Sequence, residues 1–130
     1  MHRHTTNKTT LDDFLHMTLP TITKNMTDND INNMMQNASK AANFLKAISH
    51  EGRLMTLCYL STGEKSVLEL EELLSARQSA VSQQLSRLRA EGLVTPRRDG
   101  KTIYYKLTDE RAIQILEVVY DLFCKNDKVI

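Results

Sequence analysis

Two groups of residues in this chain can do more than pack. One is a pair of thiols, Cys58 and Cys124, the only cysteines in 130 residues. The other is the run from Arg77 to Lys106, RQSAVSQQLSRLRAEGLVTPRRDGKTIYYK, where seven Lys and Arg face only Glu91 and Asp99. That segment carries +5 while the whole chain carries +1, so any attraction for a polyanion is local to it. The thiols are 66 positions apart and form no CxxC pair, and two cysteines are too few for a secreted disulfide scaffold. Their chemistry depends on where the fold puts them. An isolated buried cysteine is usually a small hydrophobe, and Cys58, between Leu57 and Tyr59, fits that description too.

The elements that would position these groups are legible from hydrophobic period. From Asp28 onward Ile31, Met34, Met35, Ala38, Ala42, Leu45 and Ile48 recur at helical spacing, with Asp28 or Asp30 near the cap. A second helix over Glu51–Leu60 buries Leu54, Leu57, Cys58 and Leu60 and stops at Ser61-Thr62-Gly63. Ser66 caps a third, with Val67, Leu70, Leu73 and Leu74 inward. After a turn at Ala76-Arg77, a helix from Ser79 to Glu91 places Val81, Leu85 and Leu88 on one face and Ser79, Ser82, Gln83, Ser86 and Arg87 on the other.

Past Gly92 the period changes to two. Leu93–Thr95 and Thr102–Leu107 read as strands, and Asp99-Gly100 is a strong hairpin turn. Pro96 cannot donate to a ladder and belongs on an edge or at a bulge. A last helix, capped by Thr108 or Asp109 and running to about Lys125, is apolar on two sides: Ile113, Leu116, Val119, Tyr120 and Phe123 on one, Ile115, Val118 and Leu122 on the other. Such a helix at the end of a small domain is expected to be shared with a partner.

The expected fold is mainly α with a small β-hairpin, a winged helix-turn-helix spanning residues 29–125. A flexible, threonine-rich arm over 1–28 precedes it and a short tail over 126–130 follows. The N-terminus has no continuous apolar stretch resembling a signal peptide and nothing suggests membrane insertion, so a cytoplasmic location is expected. The scattered His2, His4 and His16 make no metal site by themselves. Helix, turn, polar helix and basic hairpin in this order suit double-stranded DNA. Gln78, Ser79, Ser82 and Gln83 can reach base edges in a major groove, while Arg87, Arg97, Arg98 and Lys101 can meet phosphates. Two other classes compete: an interaction module without DNA, using the long apolar helices for partners, and a thiol oxidoreductase, which would show a CxxC motif or a thioredoxin-like alternation of strands and helices, neither of which is present.

Three stretches, LKAISHEGRL from Leu45, QSAVSQQLSRLR from Gln78 and Gly92-Leu93-Val94, resemble the ArsR/SmtB winged-helix repressors over about residues 30 to 125. The resemblance implies a homodimer built on the first and last helices, with the helix from Ser79 in the major groove and the hairpin as wing. Gly52 departs from the family pattern where proline or a similar residue is common, and Gln84 where a histidine often follows the Ser-Gln pair. The family's metal sites have no counterpart: the third helix lacks paired cysteines and the last lacks histidine, so no metal or other cofactor is expected. A metal-responsive repressor with a non-standard site, assembled from Cys58, Cys124, His50 and His16, is the alternative reading.

Within the family, Cys58 late on the second helix and Cys124 at the end of the last resemble the dithiol subgroup of sulfide-, persulfide- and redox-responsive repressors. That likeness implies an intrasubunit disulfide or polysulfide link as the signal, persulfides or polysulfides as inducers, and release of operator DNA when the link forms. A disulfide requires Cα atoms about 4.4–6.8 Å apart, and inserted sulfur widens the tolerance. Placement near helix C-termini should raise both thiol pKa values, with Lys125 partly offsetting this beside Cys124.

Overall fold

Residues 25–125 are described in the computed structural model of the chain. The expected arm therefore lies outside the described residues except for positions 25–28, and the expected tail over 126–130 lies outside them entirely. The chain divides between Asn37 and Ala38. Before that point comes the first part of helix α1 (Asp28–Ile48), whose start is a reciprocal cap: Thr27 Oγ1 accepts from Asp30 N–H at 3.1 Å, and the Asp30 carboxylate accepts from Thr27 N–H at 3.0 Å. Asp30 is thus the third-position partner and Thr27 the cap.

After Ala38 follow the rest of α1, α2 (Glu51–Leu60), β1 (Lys65–Ser66), α3 (Val67–Leu74), α4 (Gln78–Ala90), β2 (Val94–Asp99), β3 (Thr102–Leu107) and α5 (Glu110–Phe123). His50 ends α1 and starts α2, its Nδ1 accepting from Arg53 N–H at 3.3 Å. Arg53 in turn donates from Nε to Ala47 O and from NH2 to Lys46 O, giving the last carbonyls of α1 a cationic partner. Ser66 and Glu69 complete a capping box on α3, which ends at Ser75 in the left-handed region, φ 51°.

The sheet has three antiparallel strands in the order β1-β3-β2. This enlarges the expected hairpin: Lys65 and Ser66 pair with Tyr105 and Tyr104. Two residues are too short to show an alternating pattern, so β1 leaves no periodic trace. Pro96 sits on β2, an edge strand, opposite Tyr105. Gly100 turns the hairpin at φ 64°, and Gly92 at φ 80° turns α4 into β2, both conformations that a side chain would strain.

One core joins these elements. Leu57 of α2, Leu70 of α3, Val81, Leu85 and Leu88 of α4, Leu93 just before β2, and Ala112 of α5 are essentially without exposed surface. Each of the larger side chains contributes about 1.5–3 kcal/mol by leaving water. On α1 the buried residues are Phe44, Ala47 and Ile48, whereas Ile31, Met34, Met35 and Leu45 of the expected inward stripe are exposed. Leu73 of α3, also expected inward, is exposed as well.

Candidate nucleic-acid interface and a thiol groove

Helix α4 has its apolar side fixed by Val81, Leu85 and Leu88, so its other residues cannot turn inward. Ser79, Ser82 and Gln83 are exposed, as is Gln78 at the first turn. Gln78 and Ser82 share a hollow of about 390 Å³ with Lys101, at the junction of α3, α4 and the hairpin. Arg98 lines a second hollow of about 220 Å³ beyond it, with Arg89 and Pro96. Arg89 was not among the residues expected to bind, although its charge belongs to the same basic run. Arg87 lies 3.5 Å from Glu91 one turn along the helix.

Arg97 is engaged differently from its neighbours. Its Nε and NH2 donate to Glu64 Oε2 and Oε1 at 3.0 and 2.8 Å, and its guanidinium lies 4.6 Å from the centre of the Tyr104 ring. Asp99 is 4.0 Å away. The hydrogen bonds from Arg97 hold the Glu64 carboxyl below its ordinary pKa. This guanidinium is therefore matched to a carboxylate, while Arg98 reaches only the Gly100 carbonyl at 3.5 Å. Glu64 carried no signal in the sequence because its partner is 33 positions away, on another element.

The thiols sit on the opposite pairing, α2 against α5. Cys58 is in the last turn of α2 and partly buried; Cys124 terminates α5, its N–H donating to Tyr120 O at 2.9 Å, and is also partly buried. Both are free thiols. Burial pushes the Cys58 pKa up, and Cys124 adds to the rise. The cause of the rise is desolvation first, not the helix terminus the sequence suggested. Lys125 pairs with Asp121 at 3.8 Å. An open groove of about 770 Å³ runs beside Cys58, bounded by Ser61, Thr62, Ile113, Leu116 and Tyr120. Among the described residues no cluster of three or more His, Cys, Asp or Glu could hold a metal, and no helix is long and apolar enough to cross a membrane.

Comparison with known proteins agrees with this architecture. Residues 50–95 match the family described as bacterial regulatory protein, arsR family. The biofilm growth-associated repressor of Xylella fastidiosa is 44% identical over 95 residues, covering 73% of this chain and 83% of that protein. The crystal structure of the transcriptional repressor BigR from that organism superposes with a TM-score of 0.67 at 44% identity, covering 76% of this chain and 98% of the other. Reduced HlyU from Vibrio cholerae gives a TM-score of 0.68 at 40% identity, covering 71% and 97%. These relatives are regulators of transcription and not enzymes. A winged helix-turn-helix matched over most of its length by such proteins makes this chain a transcriptional regulator of the arsR family.

Proposed function

We propose that the chain is a homodimeric repressor that holds operator DNA in its dithiol form and releases it when Cys58 and Cys124 become linked within one subunit. The observation that carries this reading is the placement of the only two cysteines on α2 and α5, helices that pack against each other, with both thiols partly buried. A relative of the same fold described in a reduced form is in keeping with it. Gln78, Ser79, Ser82 and Gln83 face the bases, and Arg87, Arg98 and Lys101 face phosphates. Arg97 supports the wing through Glu64.

The inducer class that fits is a small persulfide, RSSH, admitted through the groove beside Cys58. One cysteine thiolate attacks the outer sulfur, giving Cys–SSH and RSH. Attack by the other cysteine on its inner sulfur gives the disulfide and H2S. If a second RSSH first extends the chain to Cys–SSSH, attack by the other cysteine on the middle sulfur gives a trisulfide, with two RSH and one H2S released overall. Either link ties the end of α2 to the end of α5. Because α5 is the proposed dimer helix, the tie changes the spacing of two α4 helices that must meet half-sites about 34 Å apart. A coupling of about 1–3 kcal/mol lowers operator affinity roughly fivefold to 150-fold.

The test is non-reducing digestion and mass spectrometry of persulfide-treated protein, alongside operator titration. The expected result is a Cys58–Cys124 crosslinked peptide within one monomer and weakened binding, with Cys58→Ser and Cys124→Ser remaining bound under the same treatment. Serine variants that still dissociate would overturn the mechanism and leave the DNA-binding assignment standing.

A further inference from the structure

The two positions at which the chain departs from the family pattern, Gly52 and Gln84, touch each other. A methyl group at position 52 would come within 2.2 Å of Gln84 Nε2 and 2.8 Å of its Cδ. The Gln84 amide also lies against Thr56, one turn further along α2, with 3.1 Å between Thr56 Oγ1 and the amide oxygen position. Thr56 is fully buried, and its hydroxyl makes a 2.7 Å bond to Gly52 O. The same hydroxyl donates to Gln84 Oε1, so its one proton is shared between the Gly52 carbonyl and the Gln84 amide oxygen, while Gln84 Nε2 sits over Gly52. Gln84 is half-buried between the polar face of α4 and α2, unlike its exposed neighbour Gln83.

We propose that Gln84 is a positioning residue for DNA recognition: seated on Gly52 and bonded to Thr56, it sets the rotation of α4 about its axis and so the aim of Ser82 and Gln83, without touching DNA itself. The packing of Val81, Leu85 and Leu88 fixes which side of α4 faces the core, but aliphatic contacts are non-directional. The amide contact supplies a direction, because a hydrogen bond weakens steeply when misaligned. Glycine at 52 is what lets the amide approach this closely. The proposal rests on the reading that α4 enters the major groove.

The experiment uses the full chain and a duplex that the wild-type protein selects from a random-sequence pool. Thr56→Val keeps the shape of a residue with no surface to offer DNA, so a loss of operator affinity there can arise only through α4. Thr56→Val and Gln84→Met should each weaken binding roughly threefold to tenfold with the salt slope unchanged, and the double variant should be no worse than either single one. Gly52→Ala, which displaces the amide, should weaken binding similarly. In the DNA-free protein, the Gln84 side-chain amide resonance should be dispersed and should collapse toward the exposed-amide position in Thr56→Val. If Thr56→Val binds as wild type, or if Gln84→Met loses affinity at one base pair only, Gln84 is not a positioning residue and the proposal falls. A wild-type protein that selects no duplex would instead remove the groove reading, and an undispersed amide resonance would then refute the contact with Thr56 independently.

Discussion

On α4, Val81, Leu85 and Leu88 are at most 1% exposed, whereas on α5 Leu122 and Phe123 are each 72% exposed. Both helices are amphipathic, yet only α4 finds enough partners within one chain to cover its apolar side. What α4 leaves outside is polar: Ser79, Ser82 and Gln83, with basic residues alongside. What α5 leaves outside is aliphatic and aromatic, and α1 does the same with Met35 and Leu45. The apolar side of α4 is buried among the described residues, while α1 and α5 keep large apolar side chains exposed. A second copy of the chain is the occupant that the proposed function requires.

The largest effect should come from breaking that cover. Leu122→Glu combined with Phe123→Glu puts charge on the uncovered α5 surface and should leave the core intact, since neither side chain contributes to it. Sedimentation equilibrium should then show monomers, and operator affinity should fall on the order of 100-fold, because one half-site no longer benefits from tethering to the other. A double variant that remains dimeric and binds normally would place the dimer contact elsewhere.

That same contrast explains how much was legible in the sequence. Helix α4 was read correctly in both its faces because every apolar position in its stripe is satisfied locally, so periodicity and burial coincide. The hairpin's existence was plain from Gly92 and Gly100, but its first strand runs on to Asp99, past the Thr95 at which the expected strand stopped, and the turn is Gly100-Lys101. On α1 the apolar stripe was real but its destination was not readable: Ile31, Met34 and Met35 are spaced for burial and are exposed. Period reports that a face is apolar, not what covers it. The contacts that escaped notice, Glu64 with Arg97 and Thr56 with Gln84, join residues 33 and 28 positions apart and have no local signature. The family likeness supplied the link proposed between Cys58 and Cys124, and no spacing rule would have paired them.

On the hairpin, a smaller effect separates two adjacent arginines. Arg98 has no carboxylate partner among the described residues, so Arg98→Ala should flatten the dependence of log affinity on log salt by about 0.9, the contribution of one phosphate. Arg97 is already neutralised by Glu64. Removing both in Arg97→Ala with Glu64→Ala leaves the net charge as it was, and the slope should hold within about 0.3. Affinity itself should drop a few-fold as the wing loses its tie to the turn after α2. If the double variant flattened the slope as much as Arg98→Ala, Arg97 would be a phosphate contact and the clamp incidental.

The smallest effect concerns the thiol on α2, and it sharpens the comparison from the other side. Burial raises the Cys58 pKa, and a thiolate at Cys124 raises it further. Cys58 should therefore be protonated at neutral pH, and its alkylation by iodoacetamide, followed peptide by peptide, should climb about tenfold per pH unit until it levels off above the ordinary thiol value. The sign for stability follows from the same shift. The folded chain holds this proton more tightly than the unfolded one, so the difference is intact below the ordinary thiol pKa and is lost as pH rises through the raised one. Cys124→Ser removes the second cause but not the first, so the midpoint for Cys58 should fall toward the ordinary value while staying above it. A midpoint at or below the ordinary value in the wild type would mean that Cys58 is not shielded between α2 and α5. An unchanged midpoint in Cys124→Ser would mean that the two thiols are too far apart to sense each other, and an intrasubunit link would then require α5 to move before it could form.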